Sequence, residues 1–359
     1  MKIKEERNYD TVDFLKILCA ILVLMIHIPL FGYSPSSKVL EGVNFVVQNC
    51  FARIAVPFFF VASGFFLYRK TSLDDFNIGY SIQYIKRIIR LYCIWSIIYI
   101  PVNIRDILND EKGVAHATVI YLRNIVFSGS YMHLWFLPAL VVAVMLTSCL
   151  LYKGIRPKTI IVIAGLLYFI GLFGVSWFGF IKPIEIYAPQ LWKGLRIIKS
   201  IIATTRNGLF EGFLFVAIGM SFSYKDFKYD KGIAVIGIIL SVIALITEVF
   251  TLQAFGFIRQ YDFFLSLVPL VWFMFYFAIN TSMPFKLDYK RMRTVSSLIF
   301  YIHLWIDAVV NGILWIVYKP LYGTGIRFLI TLISTILISV AMIRISEYKR
   351  FAWLKKLYN

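Results

Sequence analysis

The chain has 359 residues, of which 60% are apolar, 18% aromatic and 16% charged. A soluble domain is about half apolar, and apolar runs long enough to cross a bilayer core of roughly 30 Å recur here, which excludes an ordinary soluble protein. The net charge of +18 would suggest a nucleic-acid partner in a soluble chain. Because the basic residues fall mainly in segments that connect apolar runs, we expect membrane anchoring and no nucleic-acid partner.

Apolar segments along the chain predict an all-α, polytopic bundle of about ten transmembrane helices. With the N-terminus inside, most of the 37 Lys and Arg residues lie in inner segments, so both termini are expected in the cytoplasm. We therefore expect residues 1–359 to form one multi-pass domain of the plasma membrane, with the lipid bilayer as a partner and no appended soluble domain. The segments are approximately 13–31, 54–68, 88–104, 134–152, 159–177, 207–223, 232–250, 262–280, 295–317 and 326–344.

The cysteines Cys19, Cys50, Cys93 and Cys149 include no CxxC pair. They are predicted to be buried thiols, neither a disulfide framework nor a metal site. Residues 39–52 are weakly amphipathic and are expected to lie at the membrane interface or to re-enter it.

The first segment carries three ionisable side chains, Asp13, Lys16 and His27. Charged groups at the bilayer centre cost roughly 2.5–3.5 kcal/mol each, so they usually face a cavity or a partner. A helix returns to nearly the same face from Lys16 to His27, with a rise of about 16 Å, and Asp13 lies one turn before Lys16. The pattern predicts a polar stripe facing protein or water, although snorkelling of Lys16 and a structural hydrogen bond at His27 remain alternatives.

Arg87 and Arg90 stand at i, i+3, at the predicted cytoplasmic mouth of the third span. Two guanidinium groups one turn apart can hold a phosphate or pyrophosphate by bidentate hydrogen bonds. Ordinary positive-inside anchoring is the alternative interpretation.

Two later segments add histidines. His133 and Trp135 begin the fourth span at the predicted outer face, where a Trp is also typical of an aromatic belt. His303 lies in the ninth span, with Asp307 one turn further along the same face.

These motifs together resemble the membrane-bound acyltransferase-3 family. The spacing of Asp13, Lys16 and His27 matches the first span of that family, except that Lys16 stands where an Arg is usual and loses the bidentate geometry. Four stretches are similar in the same order along the chain. They are RIAVPFFFVASGFFLY at 53–68, HLWFLPAL at 133–140, RNGLFEGFLFVAIGM at 206–220 and FYIHLWI at 300–306. Among bacterial members, the chain is most similar to stand-alone forms that resemble the membrane module of vancomycin-resistance serine racemases.

The resemblance implies transfer of an acyl group, with acetyl as the default, from cytoplasmic acyl-CoA to a hydroxyl or amine. The acceptor would be an envelope glycan or a lipid-linked sugar, and a separate extracytoplasmic protein is a possible partner. Acyl-CoA would be a co-substrate, with no tightly bound cofactor and no metal. The expected site residues are His27, Lys16 and Asp13 for catalysis, Arg87 and Arg90 for acyl-CoA, and Arg53, His133, Trp135 and His303 on the acceptor side or in support.

His27 is expected to act as a general base or as a transient acyl carrier, since a neutral imidazole suits both roles. The competing function is an amino-acid or small-solute transporter, because a stripe of Lys, His and Asp also suits a membrane pathway. A scaffold subunit is a third class, but a scaffold gains nothing evident from buried charges.

Overall fold

The computed structural model describes residues 9–33, 37–73, 76–225, 227–285, 287–317, 321 and 323–359. These residues form helices joined by turns, and the only pairing of extended backbone among them is an isolated bridge between Gly32 and Thr324. The helices are α1 (Asp10–His27), α2 (Lys38–Asn49), α3 (Ala55–Tyr68), α4 (Ile78–Ile98), α5 (Ile100–Leu108), α6 (Val114–Phe127), α7 (Phe136–Tyr152), α8 (Pro157–Leu172), α9 (Phe178–Ile181), α10 (Ile184–Tyr187), α11 (Pro189–Ile202), α12 (Phe213–Tyr224), α13 (Lys231–Ala254), α14 (Leu267–Asn280), α15 (Tyr289–Val317) and α16 (Gly325–Ser346). Further helical elements are two 3₁₀ helices, Phe51–Ile54 and Lys349–Leu357, and a π-helical turn, Gly208–Gly212.

The all-α class is confirmed for the described residues, and each predicted apolar segment contains a helix. Among those residues, four helical stretches are long and apolar enough to cross a bilayer: Lys38–Tyr68, Lys231–Ala254, Tyr289–Val317 and Gly325–Ser346. A fifth arises if α4 and α5, which meet at a bend of 53°, form one span. The other apolar helices are shorter or, like α1, carry more charge. The count of ten spans and the cytoplasmic termini therefore stay predictions.

Three local details differ from the sequence-based expectations. The predicted first span runs on to residue 31, but α1 ends at His27, because Ile28 precedes Pro29 and adopts extended backbone (φ −128°, ψ 105°), as residues before proline do. The helix α4 begins at Ile78, before the predicted span, so Arg87 and Arg90 lie within the helix; their position at the mouth of a membrane span stays a prediction. Residues 38–68 form one helical stretch, so the segment expected at the interface is continuous with the next predicted span.

Only two of the four cysteines are buried. Cys19 and Cys50 are enclosed by protein, whereas Cys93 and Cys149 are exposed, and all four thiols are free. The prediction of four buried thiols was therefore wrong for Cys93 and Cys149. An apolar run does not say which face of its helix is covered by protein and which is left for lipid.

The chain forms two compact units. Unit 1 comprises Met1–Phe59, Lys228–Ile243 and Pro269–Tyr358, and unit 2 comprises Phe60–Phe227, Ala244–Val268 and Asn359. That residues 1–359 act as a single domain stays a prediction.

The core of unit 1 is built by α1, α15 and α16. Helix α15 packs against both α1 and α16. Ala20 of α1 packs with Val295, Leu298 and Ile299 of α15 in one apolar cluster. A second cluster joins Leu24 and Ile28 to Phe328 of α16. These contacts fix the faces of α1 and α15 that carry the polar side chains.

Unit 2 contains a very close contact between the Phe60–Tyr68 part of α3 and α12. A Cβ atom on Gly64 would collide with the main-chain oxygen of Val216, and one on Gly219 would collide with that of Val61. Small residues permit such backbone approach between membrane helices. The π-helical turn Gly208–Gly212 precedes α12, and the Asn207 side chain accepts from the amides of Leu209 and Phe210 at its start.

Candidate functional site

The packing of α1 against α15 brings His27 and His303 together. Their ring centroids are 5.5 Å apart and the ring planes are inclined by 34°. His303 is fully buried, whereas His27 is only partly buried. Of the two imidazoles, His27 is thus the more accessible.

Main-chain oxygens fix the tautomer of His303. Its Nδ1 lies 2.9 Å from the oxygen of Ile299 and 3.0 Å from that of Phe300. Both oxygens are acceptors, so Nδ1 carries the hydrogen and donates. In the neutral ring Nε2 then holds a lone pair. Orientation of an imidazole by a hydrogen bond at its other nitrogen is common where that ring has a chemical task.

The end of α1 is anchored by side chains of unit 1. The last carbonyls of a helix lack helical partners, and Gln48 Nε2 donates to two of them, those of Met25 and Ile26, at 3.0 and 3.2 Å. The hydroxyl of Tyr33 donates to the His27 oxygen at 2.7 Å. These bonds hold the backbone from which the His27 side chain projects.

Asp307 forms a buried ion pair with Arg327 of α16. Arg327 Nε and Nη2 donate to the two carboxylate oxygens at 2.8 and 2.6 Å, and the two side chains are only 9% and 12% exposed. The same guanidinium lies 5.3 Å from the ring centroid of Tyr33. A chain of contacts therefore connects Asp307, one turn from His303, through Arg327 and Tyr33 to the backbone of His27.

A second polar cluster lies near the start of α1. Arg293 of α15 donates to both carboxylate oxygens of Asp13, at 2.8 and 2.6 Å, and Lys16 Nζ is 3.6 Å from the same carboxylate. Asp13 is 3% exposed and Lys16 12% exposed. Asp13 is thus enclosed by two cations, and its expected part in catalysis stays a prediction.

An apolar layer lies between these clusters along α1 and α15. Ala20 stands between Lys16 and His27 in α1, and it packs with Leu298 and Ile299, which stand between Arg293 and His303 in α15. The predicted stripe thus consists of two separate polar clusters along these helices.

Arg87 and Arg90, the expected acyl-CoA residues, are exposed on α4 in unit 2. The Arg87 guanidinium lies 5.9 Å from the ring centroid of Tyr84. Arg90 Nη2 donates to the main-chain oxygen of Asn359 at 2.6 Å. Both guanidinium groups remain open to solvent on one helix face, and their role stays a prediction.

His133 and Trp135, expected on the acceptor side, lie in the turn before α7. His133 is 2% exposed and packs edge-on against Tyr99 and Tyr131, with centroids 5.0 and 5.8 Å apart. The ring of Trp135 has Arg206 at 4.8 Å.

The Trp135 surroundings also include an ion pair, since Arg206 donates to Asp262 at 2.9 Å. Arg53 belongs to unit 1, where its Nε donates to the oxygen of Gln48 at 2.9 Å. It thereby steadies the residue that caps α1. The joint acceptor-side role of these residues stays a prediction.

Sequence reasoning did not select Arg293 and Arg327, the two arginines that pair with carboxylates on α1 and α15. Arg327 is the third residue of α16 and stands next to an apolar run, which is a signal for an intramembrane charge. Arg293 stands in a basic segment before the ninth predicted span, where nothing in the sequence sets it apart from its neighbours. In the part of the chain that the structure describes, no cluster of three or more His, Cys, Asp or Glu could hold a metal ion.

With this geometry in place, sequence comparison adds the family. A model of the acyltransferase domain, acyltransferase-3, matches residues 9–344. The chain belongs to the acyltransferase-3 family. The predicted resemblance is thereby confirmed, and membership together with the apolar helices supports a membrane protein. No solved structure is significantly similar to the chain.

Curated relatives of this acyltransferase-3 member carry racemase names. An amino-acid racemase of Enterococcus faecalis is 30% identical over 76% of the chain and 36% of its own length. A second amino-acid racemase of that species is 25% identical over 94% of the chain and 46% of its own length. A serine/alanine racemase of Enterococcus gallinarum is 26% identical over 90% of the chain and 44% of its own length. The chain thus spans less than half the length of these relatives.

Proposed function

We propose that this protein is a membrane acyltransferase that moves an acyl group, by default acetyl, from acyl-CoA to a hydroxyl or amine of an envelope acceptor. The observation that carries the proposal is the His27–His303 pair, in which a reachable imidazole is backed by a buried one of fixed tautomer. Membership of the acyltransferase-3 family supports the reaction class. A glycan or a lipid-linked sugar is the proposed acceptor.

In the proposed reaction, His27 removes the proton from the acceptor as its oxygen or nitrogen attacks the thioester carbon. The new C–O or C–N bond forms, the C–S bond breaks, and the proton passes from His27 to the departing CoA thiolate. General-base catalysis of this kind contributes about 10²–10⁴-fold. A covalent acyl-imidazole on His27 is the alternative route, with the same atoms transferred in two steps.

His303 is proposed as a positioning residue for His27. The Nε2 lone pair of its neutral tautomer would orient a proton on the neighbouring imidazole. Lys16, Asp13 and Arg293 would supply electrostatic support at the other end of α1, where their summed charge is positive.

Arg87 and Arg90 are proposed to hold the phosphates of acyl-CoA, since bidentate guanidinium–phosphate contacts are both strong and geometrically specific. Both side chains are exposed on one face of α4. A cytoplasmic position for this face follows from the predicted orientation, and a plasma-membrane location is proposed with it.

Transport of an amino acid is the second candidate, favoured by the racemase names of the relatives. A route along the α1–α15 stripe would have to pass the apolar layer of Ala20, Leu298 and Ile299. That layer separates the polar cluster at Asp13 and Lys16 from the pair His27 and His303, and it interrupts the polar path that a transported solute would need. We therefore favour acyl transfer.

The test uses purified protein in nanodiscs with labelled acetyl-CoA, measuring binding and release of CoA separately. His27→Ala is expected to keep binding and to lower turnover by about 10²–10⁴-fold. His116→Ala, at an exposed histidine of α6, is the matched control and should leave turnover unchanged. If wild type neither binds nor turns over acetyl-CoA, or if His27→Ala retains full activity, the proposal fails. Uptake of labelled serine or alanine into proteoliposomes would then test transport.

The donor site has its own comparison. Arg87→Gln should weaken acetyl-CoA binding, whereas Lys86→Gln, which removes the same charge from the neighbouring exposed position, should not. Equal weakening by both variants would mean general attraction at a basic surface and not a phosphate clamp.

A further inference from the structure

Unit 2 contains a cavity that the acyl-transfer proposal does not use. Its volume is about 960 Å³, at the upper end of the usual range for ligand sites, roughly 300–1,000 Å³. Helix α11 forms one wall, and α6, α8, α9, α10 and the loop after α13 contribute to the others. Much of the lining is apolar, with Phe173, Phe178 and Leu195 among its members.

The charged side chains of the lining are mostly cations. They are Arg123, Arg196, Lys199, Arg259 and the single carboxylate Glu185, four positive groups against one negative and hence a net charge of +3. Within the described residues, none of the four cations forms an ion pair. Arg123 instead donates to the Ser200 oxygen at 3.1 Å and to the Asn124 side-chain oxygen at 2.9 and 3.3 Å, and Arg259 lies 4.9 Å from the ring centroid of Phe178. The lining therefore carries an excess of positive charge that favours an anionic ligand.

A neutral donor in the same wall also lacks a partner. The indole Nε1 of Trp192 is buried and has no hydrogen-bond acceptor among the described residues. At 100° per residue, Trp192 lies between Lys199 and Arg196 around α11. A buried donor without an acceptor is costly and calls for an explanation, and an anionic oxygen brought into the cavity would provide the acceptor.

The outer side of α11 indicates where the ligand comes from. Leu191, Ile197 and Ile201 are 54–56% exposed, and they occupy an arc of the helix that the basic residues leave free. A helix with an exposed apolar face and a basic face is suited to the membrane interface, where anionic head groups collect. The basic lining would then meet head groups, with apolar walls available for acyl chains.

We propose that this cavity binds the head group of a phosphate-bearing lipid of net negative charge. The phosphate lies against Arg196, Lys199 and Trp192, and the proximal acyl chain lies along Leu195 and the phenylalanines. Binding here is independent of the reaction at His27, so its test measures binding and not turnover.

The experiment is native mass spectrometry of the whole purified protein, titrated with phosphatidylglycerol and, separately, with phosphatidylcholine, which has a phosphate but no net charge. Wild type should retain one phosphatidylglycerol in preference to phosphatidylcholine. Arg196→Gln/Lys199→Gln should weaken retention by about thirtyfold, because each basic group near a head group contributes a factor of about five. The control Lys182→Gln/Lys193→Gln removes the same charge from exposed positions outside the lining and should change retention less than about twofold.

A third variant addresses shape and not charge. Leu195→Trp keeps every cation and fills the apolar part of the cavity, so it should also reduce phosphatidylglycerol retention, and it answers the question if the charge variant does not fold. Equal loss in the two charge variants would overturn the proposal, as would equal retention of both lipids. Displacement of phosphatidylglycerol by an equimolar concentration of soluble glycerol phosphate would assign the cavity to a soluble anion instead.

Discussion

The Asp307–Arg327 pair is expected to stabilise unit 1 strongly only while both partners are present. Both side chains are nearly excluded from solvent, at 12% and 9% exposure, and two charge-assisted hydrogen bonds join them. Asp307→Asn removes the carboxylate charge and leaves a buried guanidinium without its counter-ion. Breaking a buried pair in this way costs about 3–5 kcal/mol. The retained amide oxygen still accepts one bond, so we expect about 3 kcal/mol.

Replacing both partners at once separates the pair from its surroundings. Asp307→Leu/Arg327→Met exchanges the ions for apolar side chains, which is often neutral or even stabilising, so stability should return to within about 1 kcal/mol of wild type. Turnover should stay reduced, by about three- to thirtyfold, because Tyr33 loses the cation over its ring and with it a contact worth about 0.5–2 kcal/mol. Tyr33 in turn bonds to the His27 oxygen.

The assay is reversible unfolding of the detergent-solubilised protein by a denaturing detergent, combined with acetyl-CoA turnover at the same protein concentration. The single variants Asp307→Asn and Arg327→Met and the double variant complete the comparison. If Asp307→Asn costs less than about 1 kcal/mol, the site is wetter than its burial implies. If the double variant costs as much as the two single ones together, the ions are not coupled and the reasoning is refuted.

Three further outcomes are expected. Gly64→Ala should lower the free energy of unfolding by about 1–3 kcal/mol, because the new methyl group would collide with the Val216 oxygen. The control Gly165→Ala in α8 has open space around the new Cβ and should be neutral or stabilising by up to about 1 kcal/mol. Equal costs for the two variants would show that the α3–α12 contact is not tight. Glu248→Gln should lower the free energy of unfolding by about 1–3 kcal/mol, because the Glu248 carboxylate accepts hydrogen bonds from two backbone amides, the Ser266 hydroxyl and the Trp177 indole. An unchanged unfolding midpoint would contradict this prediction. Asp13→Asn should lower turnover more than Arg293→Lys does. The asparagine leaves the cations of Lys16 and Arg293 beside each other without their carboxylate, whereas a lysine at position 293 keeps one contact with Asp13. The reverse order in the turnover assay would argue against an orienting role for Asp13.

Helix positions followed from local patterns, and partners did not. Apolar runs located the helices, and Pro29 marked where α1 must stop, although the predicted span ran past it. Arg293 meets Asp13 across nearly the whole chain, so no spacing rule could connect them. The proximity of His27 and His303 likewise depends on how α1 packs against α15. The shapes of the side chains determine this packing, and the hydrophobic periodicity of the sequence does not reveal it.

The sequence also does not reveal the role of an individual basic residue. A count of Lys and Arg supports an orientation but does not tell a head-group contact from a substrate contact. Arg196 and Lys199 look like ordinary loop cations in the sequence, and only the cavity and the unbonded indole of Trp192 beside them give them a separate meaning. The predicted burial of Cys93 and Cys149 was wrong for a related reason, because the apolar side chains of a membrane helix can face either the protein interior or the lipid.

The π-helical turn at Gly208–Gly212 determines which side chains of α12 face α3. The amide of Gly212 bonds to the oxygen of Asn207 five positions back, so the turn holds one residue more than an α-helical turn would. Deleting that residue would rotate α12 by about 100° and swing Gly219 away from the backbone of Val61. A lineage could therefore gain or lose the extra residue only together with a new pattern of small side chains on α12, so insertion and glycine positions should be inherited as a unit.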